Sequence, residues 1–480
     1  MIAHSDLRRL REGIANLPDP TSYGKCPDET TVYLPASHVK AIHPDATLVT
    51  GMRGAGKTFW WSALQVAAVR TRIASAHKWS GITEQTEVSP GFGVRPNPEA
   101  YPGQGVLPQL LAEGISPRMI WRTVVLCRLC GEGQRLRSLA TWRERVDHVA
   151  SHPDAMDRTL SRCDAELHEK GASLLILFDA LDRCGETRDA TLRVIRGLLE
   201  TGLDLRPYRR LRLKVFLRLD QATEPGISDF PDASKILASR VELAWPRHEL
   251  YGLLWRLLRH GEQGDSSRRV LGILDTPPDS RSGFLPMSGS REDRYRRRFH
   301  GLAGPWMGTD RRRGFPYTWI PNHLSDTFGR VSPRSFLTAL KEAARDTADR
   351  HSKHEYALHY QSIKAGVRKA SETRVHELRE DDPWLDTALR PLRGMVVPVD
   401  FREIENAWKA RGVIDELARK PEGASSGLPP RRIRYGALGL REDLQDAGIF
   451  YLLRDGRVNI PDVFRIGYGL GRKGGVRPAP

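Results

Sequence analysis

Ala46-Thr-Leu-Val-Thr50 runs directly into Gly51-Met-Arg-Gly-Ala-Gly-Lys-Thr58, and Phe59-Trp-Trp-Ser-Ala-Leu-Gln-Val-Ala-Ala-Val69 follows. The first stretch is β-prone and the third reads as a buried helix. The pattern G-x-x-x-x-G-K-T therefore sits in a strand-to-helix turn, the context a phosphate-binding loop requires. Glycines let such a loop curl with its N–H groups inward, and the helix N-terminus adds a partial positive charge. Lys57 then reaches the β- and γ-phosphates of a nucleotide, while the Thr58 hydroxyl binds Mg2+. The cradle is expected at Gly51, Gly54, Ala55, Gly56, Lys57, Thr58 and Phe59.

A cradle of this kind calls for a second buried strand that ends in a carboxylate, which holds the metal through its water shell. Ala172-Ser-Leu-Leu-Ile-Leu-Phe178 is a continuous apolar run, as expected of a central parallel strand covered on both faces. It ends in Asp179-Ala-Leu-Asp182-Arg183, which makes Asp179 the expected metal partner. The sequence has no N-K-x-D or T-K-x-D guanine reader and no Leu-Ser-Gly-Gly signature, so ATP with Mg2+ is the favoured ligand.

These two elements resemble those of P-loop ATPases of the AAA+ and STAND (KAP-like) type. The likeness covers 45–345 loosely and 396–480 by shape only. It implies an α/β fold, with a parallel-sheet P-loop NTPase core at 45–245 behind an N-terminal segment, 1–44, that wraps it. A helical lid with an Arg-rich insertion follows at 246–350, then a helical connector at 351–395 and a winged-helix domain at 396–480. AAA+ members carry Glu after the metal Asp, and STAND members a second Asp. Here the position is Ala180. Either Asp182 takes over as the catalytic base, or the site turns over slowly and serves as a nucleotide-gated switch.

The resemblance extends downstream. The stretch 211–220 reads as the next core strand, whose tip offers Arg218 or Asp220 to the γ-phosphate unless the two form a structural salt bridge. A last strand is expected at 236–245, with Arg240 a candidate finger acting in trans in a homo-oligomer. A helix at 246–258 enters the lid. Ser332-Pro-Arg334 opens another helix, whose Arg334 guanidinium would reach the nucleotide.

Between the first helix and 119–126 lies a Gly/Pro-containing stretch, 79–117, too long for an ordinary loop and read as an inserted or partner-binding element. Cys127-Arg-Leu-Cys130 falls where 119–126 reads, by its apolar run, as the end of a strand. Five scattered cysteines make no disulfide framework and fit a reducing cytoplasm. Residues 281–315 carry Arg281, Arg291, Arg294, Arg296, Arg297, Arg298, Arg311, Arg312 and Arg313 among Tyr295, Phe299 and Trp306. Guanidiniums pair with phosphates and aromatics stack on bases, so a nucleic-acid footprint competes here with a solvated insertion or a surface for an acidic protein effector. In the last domain, helices are expected at 401–419 and at 436–446, the second turning Leu438, Leu440 and Leu444 to a core. Asp455-Gly456 then makes a two-residue hairpin turn of the I′ kind. Arg454, Arg457 and Lys473 are its candidate DNA contacts.

Lys and Arg number 75 against 59 Asp and Glu, a net charge of +16 that favours polyanionic partners. No apolar run approaches the ~18 residues that span a bilayer, and the N-terminus lacks the apolar core of a secretory signal. The expectation is a cytoplasmic ATP-hydrolysing switch of the sort found in bacterial phage-defence systems. The alternatives are an initiator- or helicase-loader-like DNA-binding ATPase, and a non-hydrolysing scaffold stabilised by nucleotide.

Overall fold

The apolar runs of 45–245 form one parallel sheet. Its strands are β1 (Leu48–Gly51), β2 (Thr86–Phe92), β3 (Ser173–Phe178), β4 (Leu211–Arg218) and β5 (Val241–Glu242), in the spatial order β2-β3-β4-β1-β5. Every neighbouring pair is parallel. The computed structural model describes residues 4–18, 27–185, 188–260, 289–419 and 430–472. These divide into two units, one of 27–244 and the other of 4–18 together with the described residues from Trp245 onward.

The first unit is α/β because parallel strands need long crossovers, and helices supply them. Residues 174–178 of β3 are all buried, so both faces of that strand are covered. β4 stands between β1 and β3, with Gly51 opposite Arg218 and Val215 opposite Phe178. Since all five strands point one way, the turns after β1, β3 and β4 gather on the carboxyl edge, where open α/β sheets bind ligands.

Several expectations within this unit need correction. The stretch 79–117 is not simply an insertion, because it contains β2. Pro90 lacks an amide donor and would break a central strand, but β2 lies at the sheet edge with only β3 beside it. Gly91 fits there because a Cβ would lie 2.3 Å from the Phe178 ring. The expected strand at 119–126 is a helix, Pro117–Leu126, in which the Ser116 hydroxyl accepts from the Met119 amide and Pro117 takes the first turn. Its buried Ile120, Trp121, Val124 and Val125 recur at helical spacing, and the Trp121 indole donates to the Val194 carbonyl at 2.9 Å. The helix after the loop is broken at Val66 into Lys57–Gln65 and Ala67–Ala76. Of 236–245 only β5 pairs, and Ala233–Leu237 is a helical turn.

The 1–44 segment is split between the units. Helix His4–Ala15 buries Leu7, Leu10 and Ile14 in the core of the second unit. Buried Arg11 donates to the Ser352, Tyr356 and Ala357 carbonyls. Cys26 lies outside the described residues.

In the second unit, helices Pro333–Arg350 and Tyr360–Asp381 pack along each other and share a core with Phe336, Leu340, Ile363 and Val367. The 351–395 stretch, expected as a helical connector, is helical and lends side chains to two apolar clusters, Ile363 and Val367 to this one and Leu385 and Leu389 to the next. A further apolar cluster is built around Trp408, whose indole donates to the Ala388 carbonyl at 2.7 Å. It gathers Phe401–Ala410, Val413–Ala418 and Gly436–Asp446, so the helix expected at 401–419 is two pieces separated at Gly412. Leu440 and Leu444 are buried but Leu438 is 54% exposed. The hairpin Tyr451–Leu452 with Val458–Asn459 is present, but Asp455 lacks the positive φ that a type I′ turn demands. Instead Leu453 pairs with Arg457, and Gly456, at φ 83°, closes a three-residue loop.

Candidate nucleotide-binding site

The loop after β1 has the backbone its glycines predict. Gly54 and Gly56 have φ of 77° and 105°, and Gly56 opens helix Lys57–Gln65. Ala55 is fully buried beneath the turn, and Phe59 is 40% exposed beside it. The Lys57 ammonium bonds to its own loop, donating to the Gly51 carbonyl at 2.9 Å and the Met52 carbonyl at 3.0 Å. Burial draws its pKa down to about 8, against the pull of the Asp179 carboxylate.

Asp179 lies one residue beyond β3 and is 3% exposed. Its amide donates to the Phe92 carbonyl at 3.1 Å, which ties its position to the edge strand. Burial pushes its carboxyl above the ordinary range, while the Thr58 hydroxyl, Lys57 and the Ala180 amide pull it back. One carboxylate oxygen, Oδ2, is buried with no partner. A buried carboxylate left half-satisfied is costly unless something completes it. A divalent cation would do so. Among the described residues no cluster of three or more His, Cys, Asp or Glu could hold a metal. Thr58 and Asp179 nonetheless fit Mg2+, which keeps most of its waters and takes only one or two protein ligands beside phosphate oxygens.

Ala180 has φ 58° and ψ 34°, a left-handed conformation that non-glycine residues rarely adopt. The chain turns there into a short 3-10 turn, Leu181–Arg183, on which Asp182 is exposed. The Asp182 charge is felt at Lys57, Asp179 and Cys184, so it belongs to the same edge. At the tip of β4, Arg218 makes a two-pronged ion pair with Asp220, at 3.0 and 2.8 Å. Both charges also act on Lys57. The structural salt bridge weighed for this pair is therefore formed, and at the site itself.

Two further residues brace the site without any motif to announce them. His38 is fully buried, and burial holds its pKa down to about 3, so it is neutral. Its Nδ1 accepts from the Trp60 indole at 3.1 Å, leaving Nε2–H to donate to the Ala244 carbonyl at 3.1 Å. This ring joins the helix of the loop, the segment before β1 and the chain just past β5. Lys214, fully buried on β4, donates to the Ala41, His43 and Ala46 carbonyls at 2.8, 2.8 and 2.6 Å. It pins the approach to β1.

The other candidates stand apart from this edge or lie elsewhere in the chain. Arg240 is exposed just before β5. Arg334, in the second unit, bonds to Glu377 at 2.8 Å, and Arg374 takes the other oxygen of the same carboxylate at 3.2 Å. Cys127, Cys163 and Cys184 are buried free thiols and Cys130 is an exposed one. Phe299 and Arg298 are buried, so neither offers itself to a nucleic acid. Arg281, the side chain of Arg291 and Lys473 lie outside the described residues. Arg457 pairs with Asp455 at 2.7 Å, and Arg454 is exposed. No described helix is long and apolar enough to cross a membrane.

No family model and no curated protein matches this chain. Solved structures do. The ADPNP-ADP complexes of the Aeropyrum pernix ORC2 protein are similar at 12% identity and a TM-score of 0.32, over 90% of this chain and 93% of that one. The ADP form of that protein is similar at 13% identity and a TM-score of 0.33, over 94% and 93%.

Proposed function

We propose that the chain binds ATP at the carboxyl edge of its parallel sheet and hydrolyses it slowly, as a switch that couples nucleotide state to assembly or to partner binding. One observation carries the proposal: the buried Asp179 carboxylate, under the influence of Thr58 and Lys57, keeps an oxygen with no partner. Amides of the glycine turn and the start of helix Lys57–Gln65 receive the phosphates. Lys57 gives up the Gly51 and Met52 carbonyls for the β- and γ-phosphate oxygens, where its charge has more to stabilise. Thr58 and Asp179 would hold Mg2+, which would neutralise charge on the phosphate oxygens. Ala180 cannot polarise water, so the base falls to Asp182, whose exposed side chain would have to be organised by substrate. Slow turnover is the consequence. The Arg218–Asp220 pair sets opposite charges beside Lys57, and Arg334 enters by resemblance alone as the helical unit's reader of the nucleotide.

Ala180 also supports the second reading, a scaffold that binds ATP and does not turn it over. The three helices at 401–446 and the hairpin after them have the order of a winged helix, which is compatible with an initiator-like ATPase. Fluorescent-ATP binding and phosphate release, measured on the same preparations, test these readings. Lys57→Ala should lose binding and turnover together. If it still releases phosphate at the wild-type rate, the site is elsewhere, whereas tight binding without turnover in the wild type selects the scaffold.

A further inference from the structure

We infer that the turn at 306–315 is a binding platform for single-stranded nucleic acid. The inference goes beyond the ATP site and rests on the second unit alone. Among the described residues of the Arg-rich 281–315 stretch, one small surface joins exposed guanidiniums to an exposed ring. Helix Gly289–Ala303 spends Phe299 and Arg298 on the core, and Arg296 is bonded to Asp293 at 2.8 Å. The turn that follows is built differently. The Met307 amide donates to the Gly314 carbonyl at 2.8 Å and closes it, and the Asp310 carboxylate accepts from the Arg312 amide at 2.8 Å and caps it. With the Asp310 carboxylate engaged by the backbone, the short helix Arg311–Arg313 presents three successive exposed guanidiniums, none ion-paired among the described residues.

The chain runs from them directly into an aromatic group. Phe315 is 41% exposed, lies 5.0 Å from the Trp306 ring, and runs parallel to His300 at 6.0 Å and 10°. Burial and Arg296 hold His300 below its ordinary pKa, which favours a neutral ring there. Guanidiniums fixed on a capped turn suit phosphates spaced along a strand. An exposed ring next to them suits an unstacked base, which a duplex does not offer. An acidic protein would use the charges but has no use for the ring face.

Fluorescence polarisation with a labelled oligo(dT) of about 20 nucleotides, and an oligo(rU) of equal length, tests this on the full chain across a salt series. Binding by either supports the platform and tells DNA from RNA. Replacing Arg311, Arg312 and Arg313 by Ala should weaken binding at least about tenfold and flatten the log–log salt slope by about 2, near 0.7 for each phosphate that is no longer neutralised. Phe315→Ala should weaken it about fivefold or more with the slope unchanged, as expected when a base loses its stacking partner. Unfolding midpoints equal to wild type certify the fold, and Arg312→Ala alone serves if the triple variant is unstable. Wild-type affinity and slope in the arginine variants overturn the inference. So does polyglutamate competing as well as unlabelled oligonucleotide, or a duplex that binds equally and ignores Phe315→Ala.

Discussion

The Thr58 hydroxyl acts on the Asp179 carboxylate, drawing its pKa down, although β4 separates the strands that lead to these two residues. Their proximity depends on strand order. With β1 and β3 on either side of β4, the turns that leave them meet over its tip, where Arg218 and Asp220 close the floor. Loop, carboxylate and ion pair thus form one constellation from three separate segments of the sequence.

Asp179→Asn separates the cost of this arrangement from its use. The carboxyl is pushed up by burial, so its ionised form destabilises the nucleotide-free fold above the folded pKa. The amide removes that charge, and the apo unfolding midpoint should hold or rise, by up to about 1–3 kcal/mol in stability. MgATP should then raise the midpoint far less than in wild type. An apo protein clearly destabilised by the substitution would mean that Asp179 is a structural anchor instead.

Lys57 gives the site a pH dependence. Its pKa is about 8 in the nucleotide-free fold against 10.5 in the unfolded chain. Between those values the unfolded chain binds more protons, so apo stability should rise with pH across that window. Triphosphate restores the proton, so ATP affinity should fall as pH climbs above about 8, approaching tenfold per unit. Calorimetry in buffers of different ionisation enthalpy should register proton uptake on binding. An affinity flat to about pH 9.5 would place the lysine away from the phosphates.

Lys214→Met tests the brace beneath the site. The thioether fills a similar volume but leaves the Ala41, His43 and Ala46 carbonyls without their donor. Unmaking buried hydrogen bonds of this kind costs about 1–3 kcal/mol each, so chemical denaturation should register a loss of several kcal/mol. A loss below about 1 kcal/mol would show that water replaces the ammonium.

The parts of the fold legible in the sequence were those written locally. The loop at 51–58 is a contiguous pattern, and Asp179 ends an apolar run that can only be a covered strand. β2 was hidden because Pro90 and Gly91 break strands on local rules, and only its edge position tolerates them. Helix Pro117–Leu126 was masked by Thr123, Val124 and Val125, whose branched side chains suggest a strand, although Ser116-Pro117 is a helix-start signal. His38 and Lys214 carry no local signal at all. Their partners lie 22 to 206 and 168 to 173 residues away, distances that only the folded chain closes.

Ala180 is where the two readings of the site part. Its left-handed backbone costs about 1–2 kcal/mol for an alanine, yet it sits directly after the buried Asp179 carboxylate. If turnover is limited by the missing base, Ala180→Glu should accelerate phosphate release by two orders of magnitude or so, the usual yield of a positioned general base. Ala180→Gly controls for the backbone: it relieves the strain without adding a carboxylate and should leave the rate near wild type. Asp182→Asn completes the comparison. It should abolish the slow turnover in the parent and matter little once Glu stands at 180. Equal, measurable rates in all five proteins would exclude both carboxylates as the base, and undetectable turnover in all five, with ATP still bound, would leave a nucleotide-stabilised scaffold.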